Sequence, residues 1–115
     1  MSQQFIDVTS QLSEHEGLKP FIVACIPAYN EEKNIEKVLE RAFMHVEHVI
    51  VCDDGSTDGT SEIARRKGAT VVRNPYNMGK GKALQSCFRL ADRLSPDVVI
   101  MMDADGQHDP EDIPR

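Results

Sequence analysis

Four short apolar runs, residues 21–26, 48–52, 69–73 and 98–102, are spaced along the chain with polar turns between them. Each is nearly unbroken by polar positions and is bounded by proline, glycine or acidic residues, the pattern of parallel strands covered on both faces. Between them the period changes. Ile35, Val38, Leu39, Ala42, Phe43 and Val46 recur at three and four residues, as do Ala83, Leu84, Cys87, Phe88, Ala91 and Leu94, which predicts two helices with one apolar face each. A shorter helix is predicted to end at Arg65, Arg66 and Lys67, with Gly68 as its stop. Asn30 stands where it would cap the first helix, with Glu31 and Glu32 in its first turn. Asp109 and Pro110 read as the start of a fourth helix.

Strand, helix, strand, helix, strand, helix, strand predicts an α/β domain with right-handed crossovers: a Rossmann-like three-layer α/β/α arrangement on a mainly parallel sheet. Residues 1–19 form a polar lead-in and residues 20–115 the domain. In such sheets ligands sit beyond the carboxyl ends of the strands, where strand order reverses. Residues 27–31, 53–58, 73–82 and 103–108 leave those ends and are expected to converge on one edge.

Charge sharpens this picture. Thirteen Lys and Arg against nineteen Asp and Glu give a net charge of −6 over 115 residues, which argues against nucleic acid as a partner. Eight of those bases fall between Arg65 and Arg93 against one acid, Asp92. Arg65, Arg66 and Lys67 read as a solvated helix face, whereas Arg73, Lys80 and Lys82 lie near a strand end and a glycine-rich turn. Cys25, Cys52 and Cys87 lie inside apolar runs without CxxC spacing and read as buried thiols of a reducing compartment. No run reaches the ~18 apolar residues of a membrane span, and no signal-peptide core opens the chain, so a soluble, cytoplasmic protein is expected.

The candidate chemistry gathers at the strand ends. Asp103 and Asp105 follow a buried strand, and in an extended chain they point the same way while Ala104 points the other. Paired carboxylates suit a hard cation such as Mg2+ or Mn2+ shared with a ligand's phosphates. The first turn, Pro27-Ala28-Tyr29-Asn30-Glu31, lacks the glycines of a dinucleotide fingerprint, which excludes a nicotinamide or flavin cofactor by that mode. Tyr29 and Glu31 there either contact a nucleobase or serve as a packed aromatic and a helix cap. Asp53 or Asp54 sits where a doubly wound fold holds its ribose- or base-binding acid. Asp53 is the expected ligand contact and Asp58 the expected cap. Gly79-Lys80-Gly81-Lys82 is not a P-loop, but it leaves backbone N–H groups and lysines at a helix start, fit either for phosphate or for solvent. Gln107 or His108 stands where it would complete a cation's shell or touch a ligand.

Together, Pro27-Ala28-Tyr29-Asn30-Glu31, Asp53-Asp54-Gly55-Ser56-Thr57-Asp58, Asn77-Met78-Gly79-Lys80-Gly81 and Asp103-Ala104-Asp105-Gly106-Gln107-His108 resemble the family 2 inverting glycosyltransferases of the GT-A fold. Within them the chain looks most like the dolichyl-phosphate mannose synthase and polyprenyl-phosphate glycosyltransferase branch, though Gly106 replaces a bulkier residue expected there. The resemblance implies that Pro27, Ala28, Tyr29, Glu31, Asp53, Lys80 and Ala104 bind a GDP- or UDP-sugar. It implies that Asp103, Asp105 and Gln107 hold Mg2+ or Mn2+, and that the acceptor is a polyprenyl phosphate at a membrane surface. It also places the acceptor half and the catalytic base after the Asp-x-Asp segment, so a donor-binding half cut off before its acceptor half is expected, with the base beyond Arg115. A module that binds nucleotide sugars without turnover is the non-enzyme alternative. Asp103-Ala104-Asp105-Gly106 also resembles the haloacid-dehalogenase nucleophile motif, but that family carries it after its first strand and here three strands precede it. Neither Asp103 nor Asp54 opens a calcium loop with ligands in frame.

Overall fold

The computed structural model describes residues 19–105. It contains β1 (Ile22–Ala28), α1 (Ile35–Ala42), β2 (His48–Asp53), α2 (Thr60–Arg66), β3 (Thr70–Arg73), α3 (Lys80–Arg93) and β4 (Val98–Met101). The strands form one sheet in the order β3-β2-β1-β4, and all three pairings are parallel. The expected α/β fold is present. Residues 1–18 of the polar lead-in, the helix predicted from Asp109, and Gln107 and His108 lie outside the described residues.

Strand alternation sorts the core into two layers. Ala24, Ile26 and Ala28 of β1 and Val49 and Val51 of β2 pack with Ile35, Val38, Leu39 and Ala42 of α1 and Ala64 of α2. Val23 and Cys25, with Ile50 and Cys52, face Ala83, Cys87 and Ala91 of α3. Helices therefore cover both sheet faces, and each fully buried Ile or Leu side chain contributes about 1.5–3 kcal/mol of burial free energy. All three cysteines are buried free thiols. Contacts with Cys25 and Cys52, together with burial, push the Cys87 thiol up from its ordinary value.

Three local expectations are corrected. Pro27 does not stop the first strand, which continues through it to Ala28. The first helix starts at Ile35 after Asn34; Asn30 instead adopts a left-handed φ of 51°. The last apolar run is covered on both faces but less fully than expected: Ile100 and Val99 pack against the two core layers while only partly buried, Met101 is 49% exposed, and among the described residues β4 is the outermost strand. Lys67 is more than a solvated base, because its ammonium reaches Glu40 (2.8 Å) and Glu36 (3.1 Å) and ties the end of α2 to α1.

Candidate functional site

Strand order places the site. From β1 the chain moves outward to β2 and β3, then crosses back to lay β4 on the other side of β1, so the reversal lies between β1 and β4. A cavity of about 250 Å3 opens there, lined by Pro27, Ala28, Tyr29, Glu31, Asp54, Asn77, Lys80, Ala83, Asp103, Ala104 and Asp105.

Pro27 keeps this crevice open. The Ala28 carbonyl accepts from Asp54 N–H and the Cys25 carbonyl from Met102 N–H, so even-numbered residues of β1 bond to β2 and odd-numbered ones to β4. The next rung toward β4 needs an N–H at residue 27 to meet the Met102 carbonyl. Proline has none, and the ladder ends one residue before Asp103. Replacing Pro27 with Ala restores that donor and lets residues 103–104 draw in against β1. Stability should change by less than about 1 kcal/mol, since a new hydrogen bond offsets the lost rigidity of proline. Affinity for a nucleoside diphosphate should fall on the order of tenfold as the crevice narrows. Unchanged affinity on calorimetric titration would show that the missing rung is not what shapes the site.

The first two loops are stitched together. Asn30 N–H donates to Ser56 Oγ (2.7 Å), Thr57 N–H to Asn30 Oδ1 (2.8 Å), Glu31 N–H to Thr60 Oγ1 (3.0 Å) and Gly59 N–H to Glu32 Oε1 (3.1 Å). Asn30 and Glu32 thus serve the β2–α2 turn instead of capping α1. Gly59 and not Asp58 is the N-cap of α2, but Asp58, one residue earlier, still serves the helix start by accepting from Thr60 N–H (3.0 Å) and from the Thr60 hydroxyl (2.5 Å). Burial alone would raise its carboxyl, but these donors and Glu32 N–H outweigh it and hold Asp58 below the ordinary carboxylate value.

The acid pair at the end of β2 divides its work differently from the expectation. Asp53 is fully buried and does not line the crevice. Its carboxylate accepts from Ser56 N–H (2.8 Å), the Ser61 hydroxyl and Arg73 Nη1 (2.8 Å), while Arg73 Nη2 also donates to the Ser56 carbonyl (2.6 Å). Asp53 and Arg73 therefore hold the β2–α2 turn to β3, and Arg73 does not line the crevice. Asp54 lines the crevice instead. It accepts from Asn74 Nδ2, Met78 N–H and Gly79 N–H, each at 2.9 Å, and so fixes the loop from which α3 departs. A Cβ on Gly55, whose φ is 78°, would stand 2.3 Å from the Tyr76 carbonyl carbon, so that loop rests directly on the turn.

Strand parity explains the exchange. Val49 and Val51 face α1 and α2, and Asp53 continues that face toward Ser61 of α2; Ile50 and Cys52 face α3, and Asp54 continues toward its N-terminus. The alternation along β2 is legible in the sequence, but which helix covers which face is not.

Tyr29 is 43% exposed at the crevice mouth, with Glu31 beside it accepting from Asn34 Nδ2 (3.1 Å). Lys80, the first residue of α3, reaches Asp103 Oδ1 at 2.5 Å across the crevice, whereas Lys82 does not line it. Asp103, Ala104 and Asp105 all border the cavity, because the chain turns after Met102 and does not stay extended. Among the described residues no set of three or more His, Cys, Asp or Glu side chains is grouped to hold an ion. Two carboxylates on one wall suit a cation that takes its remaining oxygens from phosphates and water, the usual habit of Mg2+. Among the described residues no helix is long and apolar enough to cross a membrane.

The chain's likeness to known proteins accords with this geometry. The model of the family described as Glycosyl transferase family 2 matches residues 23–115. An uncharacterised protein of Methanocaldococcus jannaschii is 40% identical over 107 residues, covering 92% of this chain and 43% of that protein. The UDP-N-acetylglucosamine--dolichyl-phosphate N-acetylglucosaminyltransferase of Methanococcus voltae is 32% identical over 112 residues, covering 82% and 45%. The chain thus spans less than half the length of these relatives. Among solved structures, glucosyl-3-phosphoglycerate synthase from Mycobacterium tuberculosis, in complex with Mn2+, uridine diphosphate and glucosyl-3-phosphoglycerate, superposes with a TM-score of 0.63 at 31% identity, covering 87% of this chain and 37% of that one.

Proposed function

The chain belongs to glycosyl transferase family 2, and from that premise we propose that its β1/β4 crevice binds the diphosphate of a nucleotide sugar through a divalent cation, for inverting transfer of the sugar to a polyprenyl phosphate. The observation that carries the reading is the meeting of Asp103 and Asp105 with Tyr29, Glu31 and Asp54 at the point where strand order reverses. Residues 20–115 supply the donor-binding domain.

Each wall has a part. Tyr29 offers a half-exposed ring against which a nucleobase lies, and Glu31 and Asp54 offer acceptors to base or ribose donors. Pro27, Ala28, Ala83 and Ala104 are small or rigid, which lets a ligand approach the backbone closely. Asp103 and Asp105, with Gln107 as a further candidate, would hold Mg2+ or Mn2+. When bound, that ion acts as a Lewis acid toward the departing diphosphate, whose negative charge grows as the glycosidic bond breaks. It also reconciles an acidic chain with an anionic donor. The cavity is smaller than the ~300–1,000 Å3 usual for ligand pockets, so it accommodates part of the donor. The names of the Methanococcus voltae relative and the mycobacterial neighbour favour uridine over guanosine, and the former, which names dolichyl phosphate, favours a lipid phosphate over the phosphoglycerate of the latter as acceptor.

Calorimetric titration of the chain with UDP or GDP, in Mn2+ or in EDTA, tests the reading. UDP is expected to bind in Mn2+ and to lose at least about tenfold in affinity in EDTA. Equal binding in both buffers rejects the cation's role, and tighter binding of GDP reverses the base.

A further inference from the structure

The ion pair across the crevice has a consequence for how that site fills. Lys80 and Asp103 are 23 residues apart in sequence, yet Lys80 Nζ lies 2.5 Å from Asp103 Oδ1. The backbone that carries this lysine is fixed. Lys80 comes immediately after Gly79, whose N–H, with that of Met78, is held by the buried Asp54 carboxylate, and whose N–H also meets Asn77 Oδ1 (3.1 Å). Its head is not buried: the Lys80 side chain is 64% exposed and that of Asp103 28%. An anchored backbone thus carries a solvated ammonium that reaches one of the two carboxylates suited to a cation.

We propose that Lys80 is the crevice's own counter-cation, holding Asp103 while the site is empty and giving way to a divalent ion only as a diphosphate arrives to accept the ammonium. The proposal rests on the reading of Asp103 and Asp105 as the cation's carboxylates. An ammonium and a divalent ion repel each other and compete for the same carboxylate oxygen, so the ion alone must break the Lys80–Asp103 pair. A diphosphate changes the balance. Its oxygens accept from Lys80, which has three donors on a flexible four-carbon stem and reorients without movement of α3. Cation and nucleotide therefore bind with positive coupling, and Lys80 acts as a positioning residue that links the two.

Lys80→Met keeps the length of the stem and removes the charge; Lys82→Met makes the same charge change two residues along α3, outside the crevice. Free Mn2+ is read by its electron paramagnetic resonance signal as each protein is titrated without nucleotide, and UDP affinity is then measured by calorimetry at saturating Mn2+. Lys80→Met should bind Mn2+ alone about three- to fivefold more tightly, the worth of an exposed ion pair, and bind UDP about tenfold more weakly with Mn2+ present. Lys82→Met should leave both within about twofold. Unchanged or weaker Mn2+ binding by Lys80→Met overturns the proposal, as does the same gain in Lys82→Met, which would make it an effect of net charge. If the wild-type chain takes up no Mn2+ even with UDP present, the cation site itself fails and the proposal falls with it; tight Mn2+ binding by all three proteins leaves the site standing and rejects only the part given to Lys80.

Discussion

Asp105→Asn is expected to lower UDP affinity in Mn2+ on the order of 100-fold, down to the level measured in EDTA. The substitution keeps the shape of the side chain and removes one of the two crevice carboxylates placed to meet a cation. It is a cleaner probe than Asp103→Asn, which also deprives Lys80 of its partner. With a single carboxylate left, a divalent ion would have to draw more of its coordination from water, which it holds in bulk solvent anyway. The gain from carrying the diphosphate into the crevice is then lost. Thermal stability should stay close to that of wild type, so a fall in affinity cannot be assigned to unfolding. Wild-type affinity in Mn2+ for Asp105→Asn would remove Asp105 from the cation site.

The second large effect concerns the fold. Asp53→Asn should destabilise the chain by about 2–3 kcal/mol, because a fully buried carboxylate that accepts from Ser56 N–H, the Ser61 hydroxyl and Arg73 becomes an amide with one acceptor oxygen and two hydrogens to satisfy. The figure lies below the 3–5 kcal/mol typical of breaking a fully buried pair because the Arg73 side chain is 41% exposed and keeps part of its hydration. Urea denaturation measures the loss. Calorimetry under native conditions should give a UDP affinity within about twofold of wild type, since the β2–α2 turn and not the crevice holds this acid. The opposite pattern, intact stability with lost UDP affinity, would return Asp53 to the nucleotide site.

Those two acids show what could be read from sequence and what could not. Periodicity was sufficient for the architecture: runs of β-branched residues at parallel-strand length and apolar positions at helical spacing have few other ways to bury their faces. The strand ends followed, and with them the gathering of Tyr29, Glu31, Lys80, Asp103 and Asp105 around one crevice. What the pattern did not resolve was parity. Asp53 and Asp54 differ by one residue and so lie on opposite faces of β2, and only the packing of α2 on one face and α3 on the other assigns each its neighbours. Pro27 was misread for a related reason. A proline interrupts only the ladder that its missing N–H would face; here that is the β4 side, so pairing with β2 continues through Pro27 to Ala28. Asn30 carries the composition of a cap, but its left-handed φ and its bond to Thr57 N–H depend on a loop 27 residues downstream, beyond the reach of any local rule.

The most direct test of the central claim, that the β1/β4 crevice takes a diphosphate through a cation, is the amide 15N–1H correlation spectrum of the chain titrated with UDP in Mg2+. Shifts should concentrate in residues 28–31, at Asp54, in residues 77–83 and at residues 103–105, with those at 103–105 collapsing when EDTA is added. Shifts centred elsewhere on the sheet, or a perturbed crevice indifferent to EDTA, would contradict it.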